Sequence, residues 1–358
     1  MDSGKLADLV STLDNLGPVH VLTGGTMARV AVLDSPLRAL VDITRKMHTS
    51  DALSHFSNKD VIILANCGKT PATGIFFGQI VSSRVDRSII QVERPGARDG
   101  RVILWYGADG DKADVVERVA RYLADALALT LHKTRKKTMH VEHKGGTDIR
   151  IVHGAQKGER ILVEGTVVGM VTGTDVEIIA RDGRIVDIRG AIIKDHGLEK
   201  IGHVDLETAY IKTGYLRRNN KAQRRSNVVV PARHLERGKV IIINHAADRT
   251  FEAVDERTIC AITIGDDTTA ICSDILSRIG IPVLGITDGD ADGIYHTARA
   301  VQGSIIIRLQ SGSDDEIGRL LEEQNVIGDG SYTLAELKTT VIAFLRRTQV
   351  RFTEYPAM

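Results

Sequence analysis

Cysteine is scarce in this chain: three residues in 358, Cys67, Cys260 and Cys272, with no CxxC spacing. An odd number leaves at least one thiol unpaired. A disulfide framework or zinc ribbon is therefore excluded, and a reducing cytoplasm is the expected setting. Aromatic residues make up only 4%, with Trp105 the one tryptophan, which argues against bases stacked on aromatic platforms. Charge of one sign is lacking too. Lys plus Arg is 47 and Asp plus Glu is 46, and the net charge of +1 excludes a strongly basic nucleic-acid coat or an acidic tail. No run approaches the roughly 18 apolar residues that a bilayer-spanning helix needs, so no membrane partner is expected. The first residues, MDSGKLADLV, read as a capped amphipathic helix and lack the basic-then-apolar order of a signal peptide.

What is present describes a globular α/β protein, with 42% hydrophobic and 26% charged residues and room for two or three domains. Leu6, Leu9, Val10, Leu13 and Leu16 share one helical face, closed by Gly17-Pro18. Strand-like runs follow at Val19–Leu22, Val61–Ala65, Ile89–Glu93 and Val102–Tyr106, then a long amphipathic helix over Ala113–Leu131. Strands alternating with helices predict a parallel-sheet α/β domain over 1–135. His132–Lys144 is polar and basic and reads as a linker or a domain edge. Residues 136–215 are then rich in β-branched residues, and Arg181-Asp182-Gly183-Arg184 between two such runs signals a hairpin in a small β domain. From 216 to 358 α/β order returns, with strands at Val240–Asn244, Thr258–Ile264, Pro282–Ile286 and Ser304–Leu309. Helices are expected over Thr269–Ile279, near Glu316–Gln324 and over Leu334–Arg347.

The most informative residues are Thr287-Asp288-Gly289-Asp290-Ala291-Asp292-Gly293, directly after a strand. Carboxylates at three alternating positions repel one another unless a cation or many backbone N–H groups neutralise them. Hard oxygen ligands suit Mg²⁺ or Ca²⁺. An acidic, solvated turn is the plain alternative. An EF-hand fails on two counts: counting from Asp288, position twelve is Arg299 and not glutamate, and the preceding segment is a strand. Upstream, Gly265-Asp266-Asp267-Thr268-Thr269 also ends a strand and opens a helix. Parallel strands place such turns on one sheet edge, so Asp266 and Asp267 are expected near Asp288, Asp290 and Asp292. The helix start, with Thr268 and Thr269, offers donors to a phosphate, although Asp267 could equally be a simple cap.

T-D-G-D-A-D-G-I-Y-H-T resembles the T-D-x-D-x-D-G stretch of the toprim domain in type II topoisomerase ATPase subunits, a domain shared with primases and nucleases. The resemblance implies that Asp288, Asp290 and Asp292 hold Mg²⁺, or Mn²⁺ in its place, within a Rossmann- or toprim-like fold over 216–358. Gly265-Asp266 is similar to that family's E-G-D segment, with Ile264 where the glutamate stands and a shorter spacing between the motifs. The whole chain resembles, more loosely, an uncharacterised protein family of methanogenic archaea described only as a domain of unknown function. The carrying stretches are L-T-G-G-T-M-A-R-V-A-V-L-D, A-N-C-G-K-T-P-A-T-G-I-F-F-G, K-D-H-G-L-E-K and G-D-D-T-T-A-I. That likeness implies one architecture along the full length and no activity.

Weaker signals remain. Thr23-Gly24-Gly25-Thr26, between a strand and a helix, could cradle an anion on backbone N–H groups or form a tight turn; Gly24, Gly25 and Thr26 are the candidates. Asn66-Cys67-Gly68-Lys69-Thr70 ends like a P-loop, but Ile63 occupies the upstream glycine position, so it is not one; because they follow a strand, Lys69 and Thr70 are still expected to line the first domain's ligand edge, Lys69 as a phosphate contact. His196, Glu199 and His203 have i, i+3, i+7 spacing, with Gly197 and Gly202 against a continuous helix. Cys67 reads as a small buried thiol rather than a nucleophile. Arg217, Arg218, Lys221, Arg224 and Arg225 could contact nucleic-acid phosphates or form a solvated linker. The leading expectation is a Mg²⁺-dependent enzyme acting on a phosphorylated small molecule or nucleotide. The alternatives are a non-catalytic metal–nucleotide sensor, favoured by Ile264, and a nucleic-acid-binding protein.

Overall fold

The computed structural model describes residues 4–47, 49–56, 61–107, 113–136, 141–152, 154–173, 176–214, 231–247, 250–289 and 301–356. The chain divides into two compact units, Met1–Tyr215 and Leu216–Met358, and its class is α/β.

The first unit begins with α1 (Leu6–Asp14), α2 (Thr26–Leu33) and α3 (Thr49–Ser54). Strand β1 (Ile62–Asn66), α4 (Pro71–Ser83), β2 (Ile89–Glu93), β3 (Arg101–Tyr106), α5 (Ala113–Ala126) and β4 (Thr130–Arg135) follow. The sheet order is β1-β2-β3-β4. Leu9 and Leu13 of α1 and Val116, Ala120 and Leu123 of α5 pack with Ile90, Val92, Val102 and Leu104 of the sheet. Leu53 of α3 and Val81 of α4 pack with Ile62, Leu64, Ile89 and Trp105, which face the other way. Period-2 alternation thus feeds two separate apolar clusters.

Four expectations are corrected here. The sheet is mixed, because β2 and β3 pair antiparallel. Only 94–100 connect them, and a crossover helix does not fit in so short a link. The helix from Ala113 stops at Ala126, and Ala128 turns at φ 52°. Part of the supposed linker is β4, which pairs parallel with β3 and leaves most of its side chains exposed. Residues 19–21 form no strand; only an isolated bridge joins Leu22 to Asp42.

The β-rich segment carries β5 (Val141–Lys144), β6 (Thr147–Val152), β7 (Arg160–Val163), β8 (Thr166–Val171), β9 (Val176–Arg181), β10 (Arg184–Arg189), β11 (Ala191–Ile193), α6 (Asp195–Ile201) and β12 (Ile211–Gly214). Two antiparallel sheets, β10-β9-β6-β5 and β11-β8-β7-β12, share one core. Ile178 and Ala180 come from the first sheet, Ile161, Val163 and Val168 from the second. The β9–β10 hairpin turns through Asp182 and Gly183, both at positive φ, as two-residue hairpin loops require.

The second unit contains β13 (Lys239–Asn244), α7 (Thr250–Ala253), β14 (Thr258–Ile264), α8 (Asp266–Ser277), β15 (Val283–Thr287), β16 (Ile305–Leu309), α9 (Asp314–Glu323), α10 (Leu334–Arg347) and β17 (Phe352–Pro356). Strands β13 to β16 are parallel neighbours in chain order, and β17 closes the edge antiparallel to β16. Every residue of β14 and β15 is buried, as expected of central parallel strands covered on both faces. Cys272 and Leu276 of α8 pack with Ile241, Ile243, Ala261 and Val283. Ile317 and Leu321 of α9 and Val341 and Phe344 of α10 pack with Ile262, Ile264, Ile286 and Ile307. Because the four strands run the same way, their C-terminal ends lie along one edge.

Candidate metal centre

At that edge each parallel strand delivers polar residues: Asn244 at the end of β13 and His245 after it, Asp266 after β14, Asp288 after β15, and Asp314-Asp315 at the start of α9 after β16. Among the described residues, Asp266, Asp288 and Asp314 bring carboxylate oxygens within 4.8 Å of one another. All three are buried, at 5%, 6% and 7% exposure. Glycines make the approach possible. Gly265 adopts φ 98° and Gly289 φ 80°, backbone states that side chains disfavour. A Cβ at Gly265 would meet the His245 ring, and one at Gly289 the Arg308 guanidinium.

Main-chain donors hold the carboxylates in place. Gly289 N–H donates to Asp266 Oδ2 at 3.0 Å, and Gly312 N–H to Asp288 Oδ2 at 2.6 Å. Asp315 N–H donates to Asp314 Oδ1 at 2.8 Å. Asp266 and Asp314 both open helices, where the positive end of the helix dipole favours an anion. These terms do not offset the crowding at Asp314. Burial first, then the charges of Asp288, Asp315 and Asp266, push its carboxyl up to about 7. An oxygen-only, buried, mutually repelling donor set suits a hard divalent cation.

A second group shares Asp314: His245, Asp314 and Asp315 also bring ligand atoms within 4.8 Å. His245 Nε2 lies 3.2 Å from Asp315 Oδ1, and its Nδ1 lies 2.5 Å from Asn244 Oδ1. Asn244 Nδ2 donates to Glu322 Oε2 at 3.0 Å. At the rim, the exposed Arg308 donates from Nη2 to Gly289 O at 3.4 Å.

The expected residues are distributed unevenly. Asp266 and Asp288 come together. Asp267, the next residue of α8, is half-buried and lies outside both groups. Asp290 and Asp292 lie outside the described residues, as do Arg217, Arg218, Lys221, Arg224 and Arg225. Thr268 and Thr269 are both buried, and the Thr269 hydroxyl meets that of Thr263 at 2.8 Å, beneath the helix start. Thr269 packs over Gly285, where any Cβ would strike it.

Gly24, Gly25, Thr26 and Lys69 belong to the first unit. Gly25 N–H donates to Met47 O at 3.0 Å, Gly24 packs on the Thr49 backbone, and Thr26 begins α2. Lys69 pairs with the fully buried Glu159. Of the histidine group, α6 ends at Ile201 and Gly202 turns at φ 63°, so His203 leaves the helix and its ring packs at Gly183. His203 thus shares no helical face with Glu199; the His196 side chain lies outside the described residues. Cys67 is exposed, which corrects the expectation of a buried thiol: it lies just past the end of β1, whereas Cys260 and Cys272 are buried thiols, Cys260 pushed by burial up to about 12.

Sequence reasoning missed Asp314, Asp315 and His245. The signal was a third copy of the strand–glycine–acid pattern, Leu309-Gln310-Ser311-Gly312-Ser313-Asp314-Asp315, masked because acids at a helix start are ordinary capping residues.

The chain belongs to a family of uncharacterized proteins conserved in archaea (DUF2117), whose model matches residues 1–328. It is similar to the uncharacterized protein MJ0065 of Methanocaldococcus jannaschii, 40% identical over 358 residues, which cover 99% of this chain and 96% of that protein. No solved structure matches the chain significantly. No helix among the described residues is long and apolar enough to cross a membrane.

Proposed function

We propose that the second unit binds Mg²⁺, or Mn²⁺ in its place, between Asp266, Asp288 and Asp314, and thereby holds the phosphate of a small molecule or nucleotide. Phosphoryl or nucleotidyl transfer and phosphoester cleavage are the reactions this reading admits. The observation supporting it is the convergence of three buried carboxylates from three separate turns on one sheet edge. Packing offers no reason for such an arrangement, since like charges out of water repel. A bound divalent ion would neutralise phosphate oxygens and orient the reacting group. Arg308, exposed at the rim, is suited to pair with the same phosphate. Asp290 and Asp292, which follow in the sequence, join the ligand set in this reading by the toprim likeness. Titration of full-length protein with Mg²⁺ tests it: binding is expected in the wild type and lost in Asp288→Asn. Binding that is absent, or unchanged in the variant, would defeat the reading.

A non-catalytic metal–nucleotide sensor is favoured by one specific feature. Ile264, at the position of the toprim glutamate, is fully buried in the core with Ile317 and Leu321. Tight nucleotide binding without turnover over long incubation would select this version of the same site.

A further inference from the structure

We infer that residues 204–209, between α6 and β12, form a strap fastened to the β-rich segment by a pH-sensitive latch, the His143 ring held between Asp148 and Glu207.

The placement follows from strand register. Directly opposed residues of an antiparallel pair share a face, as do residues two apart on one strand. His143 of β5 opposes Asp148 of β6, and Val141 opposes Arg150. Val141 lies in the core between the two antiparallel sheets, so His143 and Asp148 stand at its margin on the same inner face. Val204, Leu206 and Ala209 of the strap enter that core. Arg150, 2% exposed, donates from Nη1 to Leu206 O at 2.8 Å and to Ala209 O at 2.7 Å. Although burial pushes this guanidinium down to about 10, it stays charged near neutrality and is a permanent anchor.

The latch is different in kind. His143 Nδ1 lies 2.7 Å from Asp148 Oδ1, and Nε2 lies 3.1 Å from Glu207 Oε1. Two carboxylates need two N–H donors, and only the protonated ring has both. Asp148 first, then Glu207, hold the ring's titration above its ordinary value of 6.5. A neutral ring keeps one proton, which the shorter contact assigns to Asp148, and its Nε2 lone pair then opposes the Glu207 carboxylate. The latch is therefore complete below about pH 6.5 and lost as pH rises through the raised value. Other charged groups meet the strap from neighbouring elements. Asp205 accepts from Glu207 N–H at 2.9 Å and from Thr208 Oγ1 at 2.8 Å. Arg84 of α4 donates to Thr208 O at 3.0 Å, and Glu164 accepts from Tyr210 N–H. His203, whose charge acts on Asp205, is the second imidazole and the rival source of any pH dependence.

Hydrogen exchange of full-length protein, read on peptides covering 204–209 at pH 6 and pH 8.5 and corrected for intrinsic rates, tests the latch. Strap opening in the wild type is expected to increase about two- to fivefold at the higher pH, the scale of an exposed ion pair. His143→Gln and Glu207→Gln should abolish that dependence and His203→Gln should keep it; all three replace exposed residues. The His143 Cε1–H resonance should also titrate at lower pH in Glu207→Gln than in wild type. A wild-type strap equally protected at both pH values overturns the latch. So does a pH dependence that survives Glu207→Gln, disappears in His203→Gln or is matched by peptides from β9.

Discussion

Replacing Asp314 by Asn is expected to stabilise the metal-free protein at alkaline pH while removing its stabilisation by Mg²⁺. The carboxyl titrates near 3.8 in the unfolded chain and about 7 in the folded one. Below about pH 4 both states hold the proton, and the site costs nothing. Between about pH 4 and 7 the folded protein keeps a proton that the unfolded chain has released, so stability falls as pH rises, by up to about 1.4 kcal/mol per unit. Above about pH 7 the whole penalty is present. Roughly three units correspond to about 4 kcal/mol, well above the roughly 0.3–1 kcal/mol that the start of α9 returns to an anion. Asn keeps the shape and the acceptor for Asp315 N–H but carries no charge. Native-state hydrogen exchange on peptides from β14 and β15, in chelator, reads the opening of this unit alone. The variant should exceed wild type by a large part of that figure at pH 8, and the gap should close toward pH 4. Mg²⁺ at a hundredfold its dissociation constant should add about 2.7 kcal/mol to wild type and nothing to the variant. A variant no more stable than wild type at pH 8, or a gap independent of pH, refutes the reasoning.

Gly289→Ala should cost about 1–2 kcal/mol in the same exchange measurement, from the left-handed backbone at φ 80° rather than from Arg308, which can swing aside. In the first unit, Glu93 is fully buried and accepts from Asn66 Nδ2 at 2.7 Å, Gly68 N–H at 2.6 Å and Gln91 Nε2 at 2.7 Å. Glu93→Gln sets an NH₂ against one of these donors and should cost about 1–3 kcal/mol, read in urea by the fluorescence of Trp105, whose indole donates to Gln91 Oε1. Thr333→Ala removes the capping box that opens α10, Thr333 with Glu336, and should lower stability by about 1 kcal/mol in thermal unfolding.

Strands that bury both faces were the most legible part of the fold. Ile89–Glu93 and Thr258–Ile264 are read to the residue, and the β15 run to within one, because short runs this rich in isoleucine and valine have few other uses. Strand β4 was illegible for the converse reason: Thr130–Arg135 pairs through its main chain at a sheet edge and buries little, so its side chains carry no period. The antiparallel β2–β3 pair was hidden because strand pattern does not encode direction; the shortness of 94–100 does, and that was the overlooked clue.

The same distinction explains the site. Asp266 and Asp288 stood out because each follows a strand too apolar to be anything but central, and parallel neighbours must place their ends together. Asp314 follows β16, a strand next to the edge strand β17, and begins a helix whose first turn holds Asp314, Asp315 and Glu316. Three acids at a helix start satisfy the dipole wherever they occur, so their sequence carries no information about which one turns inward. Burial separates them: Asp314 is 7% exposed and meets Asp288 and Asp266, while Asp315 faces His245. His245 is similarly silent in sequence, since its surroundings are set by Asn244, whose amide meets a glutamate 78 residues away, and by Asp315 of another element. The acidic edge is therefore defined by long-range contacts that only the order of the parallel strands could have brought to notice.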